Sequence, residues 1–374
     1  MIKVLDTKNK GKRYSIMYKI MTPGPTQVAA NVRNARALEC TNPDLDVEFY
    51  DYYKETCELI SKLLGTKNET LILSGEGILG LEAACASMTE LGDRVLVLDN
   101  GLYGNGFKDF VSLYGGNAVL YTTDYRNEIN IEELEAFLKK DSNFKYATVV
   151  HCDTPSGMLN NIGKICPLLK KYGIMTVVDS VSAMFGEYVN VDEFKIDILC
   201  GGSQKAVSAP PGLTFVTVSD DAKKSMKERK TGIASFYANL TIFEGYYEKK
   251  WFPYTMPISD IYGLRAAFDN IKNDVDILKR HKDIADKVRT TLVENGFELY
   301  QESGFANTVT VFKVPKDYTA DYILSEIKNK YGIMLAGSFG EFAGKVIRIG
   351  HMGENAREED VDKVLEALIE ICGK

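Results

Sequence analysis

The sequence predicts an α/β fold: a large domain on a mostly parallel seven-stranded sheet, and a smaller α/β domain at the C-terminus. Three observations carry this. Seven short apolar runs read as strands, and most are continuous, as expected where both faces of a strand are covered. Amphipathic stretches at helical spacing lie between them, which is the alternation of a parallel sheet with crossover helices. After about Pro257 the pattern changes and a long helical stretch begins, which marks a second unit.

The seven runs are Thr70–Leu73, Arg94–Leu98, Ala118–Thr122, Tyr146–His151, Met175–Asp179, Ile196–Cys200 and Leu213–Val218. Ile131–Leu138 and Cys166–Lys171 are amphipathic connections between them. Beyond Pro257 the sequence predicts one helix from about Ile261 to Glu294. It then predicts a strand at Val309–Val314, a helix at Ala320–Lys330 and a strand at Val346–Gly350. In the last helix Val361, Val364, Leu365 and Leu368 share one face. Leu335 to Gly344 reads as a flexible loop because of Gly337 and Gly340. The divisions are an N-terminal segment (1–22), a large domain (23–260) and a small domain (261–374).

Composition narrows the function classes. A net charge of −7 argues against a phosphate-backbone binder, so no nucleic-acid partner is expected. No apolar run is long enough to cross a bilayer, and the basic first twenty residues lack the apolar core of a secretory signal. The seven cysteines form no Cys-x-x-Cys pair, and there are three histidines. This fits reduced thiols in a cytoplasmic protein and gives no metal site.

In an open parallel sheet, ligands bind at the carboxyl ends of the strands. Asp179 closes the run Met175–Val178, and Lys205 follows Ile196–Cys200 through Gly201-Gly202-Ser203-Gln204. A lysine amine can hold an aldehyde cofactor as an imine, and a carboxylate can keep a pyridine nitrogen protonated. After the first run comes Ser74-Gly75-Glu76-Gly77-Ile78-Leu79-Gly80, a glycine turn feeding a helix. Its backbone N–H groups suit a cofactor phosphate. The same stretch is Gly-x-Gly-x-x-Gly with Asp99 about twenty residues on, as in a dinucleotide site. The loop alone leaves both readings open, and with them a dehydrogenase. Tyr103 between glycines can stack on a ring, Thr154 lies at a strand end, and Arg348 suits a carboxylate or phosphonate.

In order along the chain, these stretches resemble the class V aminotransferases of pyridoxal-phosphate fold type I. The resemblance runs from about Met21 to the C-terminus. It rests on Thr22-Pro23-Gly24-Pro25-Thr26, Ser74–Ala84, Val177–Ser182, Gly202–Ala206, Ala209-Pro210-Pro211-Gly212, Tyr254–Pro257 and Val346–Gly353. It is nearest to the alanine–glyoxylate/serine–pyruvate group and to the 2-aminoethylphosphonate–pyruvate transaminases.

The resemblance implies pyridoxal 5′-phosphate as cofactor, with Lys205 as the Schiff-base lysine and proton shuttle and Asp179 on the pyridine nitrogen. Val181 and Tyr103 would cover the two ring faces, and Thr154 would sit near the ring hydroxyl. Glu76, Gly77, Ile78 and Gln204 would surround the phosphate. Thr255 would reach the phosphate of a neighbouring subunit, so a homodimer is implied. Gly24 and Arg348 would bind substrate, a small amino donor and an oxo-acid acceptor. Two positions depart from the pattern. Phe252 stands where a tyrosine is common, and Cys40-Thr41-Asn42-Pro43 lacks a common Gly-His pair. The loop Leu335–Gly344 has no cysteine, which argues against a desulfurase.

Overall fold

The computed structural model describes residues 18–372, so 1–17 of the expected N-terminal segment lie outside the description. The expected runs form seven strands of one sheet: β1 (Glu69–Ser74), β2 (Arg94–Asp99), β3 (Asn117–Thr122), β4 (Tyr146–Val150), β5 (Met175–Asp179), β6 (Ile198–Gly202) and β7 (Leu213–Val218). Their spatial order is β1-β7-β6-β5-β4-β2-β3. β2 to β6 pair in parallel, and β7 runs antiparallel to both β1 and β6. The continuous apolar runs have the predicted cause: β4, β6 and β7 are buried at every position. Helices Gly77–Met88 and Leu102–Leu113 pack on this sheet.

β6 begins two residues later than expected. Asp197 is used before the ladder starts, as a clamp on β5. Its Oδ2 accepts from the Thr176 N–H at 3.0 Å, and its own N–H donates to Thr176 Oγ1 at 3.0 Å. The strand therefore runs on through Gly201 and Gly202 and ends three residues before Lys205.

The single helix expected over Ile261–Glu294 is two helices, Ile258–Asn273 and Ile277–Glu294. The first turns Ile261, Leu264, Phe268 and Ile271 into the core around the sheet. The second turns Ile284, Val288 and Leu292 into a separate core with Val361, Val364, Leu365 and Leu368. One straight rod cannot serve both cores. The break falls at Asp274-Val275-Asp276, where poor helix formers stand and Val275 is 91% exposed.

The second core lies around two further strands, β8 (Val309–Lys313) and β9 (Val346–Gly350), paired antiparallel, and the helices Ala320–Tyr331 and Glu358–Cys372. Met21 belongs to this core, and Lys19–Ile20 pairs with Ile333–Met334. The segment from Tyr18 thus adds an edge to the smaller unit before crossing to the larger. Gly350 sits where it crosses: the Gly350 N–H donates to Met21 O at 2.8 Å. A Cβ at Gly350 would lie 2.1 Å from Thr22 O and 2.5 Å from Pro23 Cα. Among the described residues no helix is long and apolar enough to cross a membrane, and no acid–His–Cys group is placed to hold a metal.

Gly350→Ala should overpack this crossing and cost about 1–3 kcal/mol. The check is the urea midpoint, which should fall at unchanged slope. An unmoved midpoint would show that Thr22 and Pro23 are not pressed against β9.

Candidate active site

Lys205 stands on the connection between β6 and β7, and this connection is tied to itself. Ser203 Oγ donates to Pro210 O at 2.7 Å, the Ala209 N–H to Ser203 O at 2.9 Å, and the Ser208 N–H to Lys205 O at 2.8 Å. Ser208 closes the turn in the left-handed region, at φ +57°. The lysine is aimed inward, and its Nζ donates to Pro23 O at 2.5 Å. Gly24, at φ +97°, lies against the same side chain, and a Cβ there would be 2.4 Å from Lys205 Cδ. The position therefore demands glycine on both counts.

Asp179 closes β5 and is buried. Its Oδ1 accepts from the Val181 N–H at 2.9 Å, and it shares a pocket with Lys205. Burial weakens this acid, raising its pKa to about 7 against the favourable Val181 N–H and the lysine charge. Burial also depresses Lys205 to about 8, and the Arg348 cation adds to the effect. The pair is thus an amine that loses its proton more easily than usual and a carboxyl that holds one more tightly than usual. That is the arrangement expected where protons are moved near neutral pH.

Eight of the residues singled out from the sequence line this one pocket: Glu76, Gly77, Ile78, Tyr103, Asp179, Val181, Gln204 and Lys205. Val181 forms its floor, because Gly77 and Gly202 leave the space its methyls fill. Tyr103 stands at one side, with Phe339 edge-on to it at 6.1 Å. Arg348 is outside the lining but acts on the charge of Lys205 and of Tyr103. Its Nε donates to Gly337 O at 2.6 Å and Nη1 to Thr154 O at 3.4 Å. Among the described residues no carboxylate pairs with it. A half-buried guanidinium held only by carbonyls is ready for an incoming anion. Thr154 is buried and meets the arginine through its backbone. Thr255 is exposed, and its hydroxyl donates to Asp44 Oδ2 at 3.2 Å, away from this chain's own pocket.

The loop Leu335–Gly344, expected to be flexible, is anchored at several points. Ser338 Oγ donates to Pro155 O at 3.1 Å, Gly337 O holds Arg348, and Phe342 is buried. Phe252 is buried within a cluster of aromatic rings and stacks on Tyr50 at 4.5 Å. Cys40, Thr41 and Asn42 are exposed.

Sequence reasoning missed two contributors. The Pro23 carbonyl is backbone and carries no residue signature. Asp153, fully buried, accepts from the Tyr103 N–H at 2.8 Å and from Ser156 Oγ at 2.8 Å. It thereby fixes the turn that presents Tyr103. An acidic residue between two predicted strand-end residues was the available signal.

The dinucleotide reading fails on Asp99. Its oxygens accept from Tyr125 Oη at 2.5 Å, Thr122 Oγ1 at 2.8 Å and Asn105 Nδ2 at 3.0 Å. It is committed inside the fold and offers nothing to a ribose.

A half-buried lysine and a buried carboxyl at the rim of such a sheet, with a valine floor and a tyrosine wall, fit the aldehyde, ring nitrogen and ring faces of a pyridoxal-type cofactor. They define an enzyme of pyridoxal chemistry. Residues 25–364 match the family described as aminotransferase class-V, and the chain belongs to that family. It is 36% identical over 341 residues to an uncharacterised aminotransferase of Methanocaldococcus jannaschii, covering 89% of this chain and 87% of the relative. It is 32% identical to the alanine–glyoxylate aminotransferase of Callithrix jacchus, covering 94% and 86%. The crystal structure of ureidoglycine–glyoxylate aminotransferase from Bacillus subtilis superposes with a TM-score of 0.92 at 28% identity, covering 96% of this chain and 93% of that one. The protein is an aminotransferase of this pyridoxal-phosphate-dependent family, and its fold is that of the family's solved structures.

The Lys205 pKa of about 8 gives a direct test. A depressed amine is protonated below that value and neutral above it. In cofactor-free protein, reaction of Lys205 with an amine-directed reagent should rise with pH through about 8 and then level off. Arg348→Met should move the curve to higher pH. A curve still rising near the ordinary lysine range would sink the reading of a desolvated amine.

Proposed function

We propose that this enzyme moves the amino group of a small amino acid, of the alanine or serine type, to glyoxylate or pyruvate. The observation that carries this is an easily deprotonated amine in one pocket with Asp179, acted on by the Arg348 guanidinium, which no carboxylate among the described residues pairs. Glyoxylate in the names of two relatives supports a small oxo acid as acceptor.

When bound, pyridoxal phosphate supplies an aldehyde carbon and an electron-accepting ring. Asp179 would face the ring nitrogen, and its weakened acidity suits a shared proton. Val181 and Tyr103 would cover the ring. Lys205 would hold the aldehyde and, as a free amine, would serve as the base toward the substrate α-carbon proton and as the acid that gives it back. Arg348 takes the substrate carboxylate with the guanidinium hydrogens its two carbonyl contacts leave free. Gly24 leaves the room that the Lys205 side chain occupies. Gly337 O and the Phe339 ring tie the anchored loop to the arginine and the tyrosine.

The same reading makes the enzyme a cytoplasmic homodimer. All seven cysteines are free, which supports a reducing compartment. Leu38, Leu45, Val47, Phe236, Tyr237 and Trp251 are large apolar side chains left exposed on the single chain, and Trp251 lies four residues before Thr255. A partner covering them would bring its Thr255 hydroxyl toward the cofactor.

Lys205→Ala should abolish turnover, and a variant with the full transamination rate would refute the assignment. Arg348→Lys loses the bidentate fork and should raise KM for amino donor and oxo acid alike by roughly 10–100-fold. Mixing the loaded enzyme with alanine, serine or 2-aminoethylphosphonate separately, and following loss of its visible absorbance, identifies the donor.

A further inference from the structure

The part of the pocket formed by Glu76 and Gln204 is built for a different group than a phosphate. A phosphate site at a helix N-terminus offers free backbone N–H groups and positive charge. Here the helix Gly77–Met88 is capped by its own Glu76, whose Oε1 accepts from the Ile78 N–H at 3.1 Å. The other carboxylate oxygen accepts from Gln204 Nε2 at 3.1 Å. The Ile78 N–H and one amide hydrogen of Gln204 are therefore taken by a resident anion. Lys205 is the one cationic residue in the lining, and its Nζ is turned to Pro23 O. A second observation is independent of the helix. Gln204 is 7% exposed, and its Oε1 is buried without a hydrogen-bond partner. A buried acceptor of this kind calls for a donor. A phosphate dianion has none to give, and it would sit beside a carboxylate. A neutral hydroxymethyl group donates one hydrogen bond and brings no charge.

We infer that Glu76 and Gln204 make this site accept the unphosphorylated form of its cofactor, a hydroxypyridine aldehyde or amine with a hydroxymethyl arm. Glu76 is the residue that sets the choice. The hydroxymethyl arm donates to Gln204 Oε1 or to the Glu76 carboxylate. Held by fewer charges than a phosphate, such a ligand is exchangeable: pyridoxamine can enter, give its amino group to an oxo acid, and leave as pyridoxal. That exchange swaps an amine for a carbonyl on each partner and needs no outside oxidant or reductant. The inference rests on the aldehyde-binding reading of Lys205 and Asp179 given above.

The test is calorimetric titration of the full-length, cofactor-free protein with pyridoxal phosphate and with pyridoxal, alongside their visible spectra. Wild-type protein should bind the two within about tenfold of one another, since the usual advantage of a charged anchor is cancelled. Glu76→Ser keeps a helix-capping side chain and so should fold. It should tighten pyridoxal phosphate at least about tenfold and leave pyridoxal unchanged or weaker, as removal of like charge requires. Glu76→Gln, which removes the charge at constant size, should shift the ratio in the same direction. A wild-type preference for the phosphate form of a hundredfold or more, or a ratio that neither variant moves, overturns the inference. If neither compound binds or changes its visible spectrum, and Lys205→Ala behaves as wild type, the underlying active-site reading fails instead.

Discussion

The molecule depends on keeping one primary amine out of water without giving it a counter-ion of its own. Lys205 is depressed by burial and by the Arg348 cation, and its one direct partner is a carbonyl, Pro23 O. A carboxylate in that place would have kept the amine charged and idle. The surrounding structure follows from this. Gly24 has to be glycine so that the chain can approach the lysine. The segment carrying it has to be clamped from behind, which Gly350 and the Met21 carbonyl accomplish. The smaller unit thereby governs the geometry of a lysine that belongs to the larger.

Much of this was legible in the chain. Continuous apolar runs mark strands covered on both faces, and all seven appear in one sheet. Asp179 and Lys205 stand out because chemistry at a parallel sheet gathers at the carboxyl ends of strands. What was illegible has physical reasons. The break at Asp274–Asp276 is set by two cores drawing successive helices apart, and helical periodicity runs through it almost undisturbed. The start of β6 was misplaced because Ile196 looks like strand while Asp197 serves as a side-chain clamp. Pro23 acts through its carbonyl, which every residue has.

Asp99 shows why a motif has to be judged by what its side chains already touch. The glycine spacing at 75, 77 and 80 and the acid that follows match a dinucleotide site as a string of letters. The three donors around Asp99 use it to tie β2 to β3 and to the turn at Tyr125. Arg348 is the reverse case. Among the described residues its side chain meets two carbonyls and no carboxylate. The missing counter-charge is what marks it for a ligand.

The reversed direction of β7 limits how the reactive nitrogen can travel. The chain leaving β6 turns back at the same rim and re-enters the ladder after ten residues, with Thr214 opposite Gly202. A crossover would have carried it off on a helix able to tilt or slide. Here the post is bolted at both feet, so displacement comes from torsion about the four methylene links of the side chain. An arm of that length sweeps from one carbon to its neighbour while the scaffold stays still. Swapping amines on such a post asks for bond rotations, which are fast, and for no rearrangement of the two units.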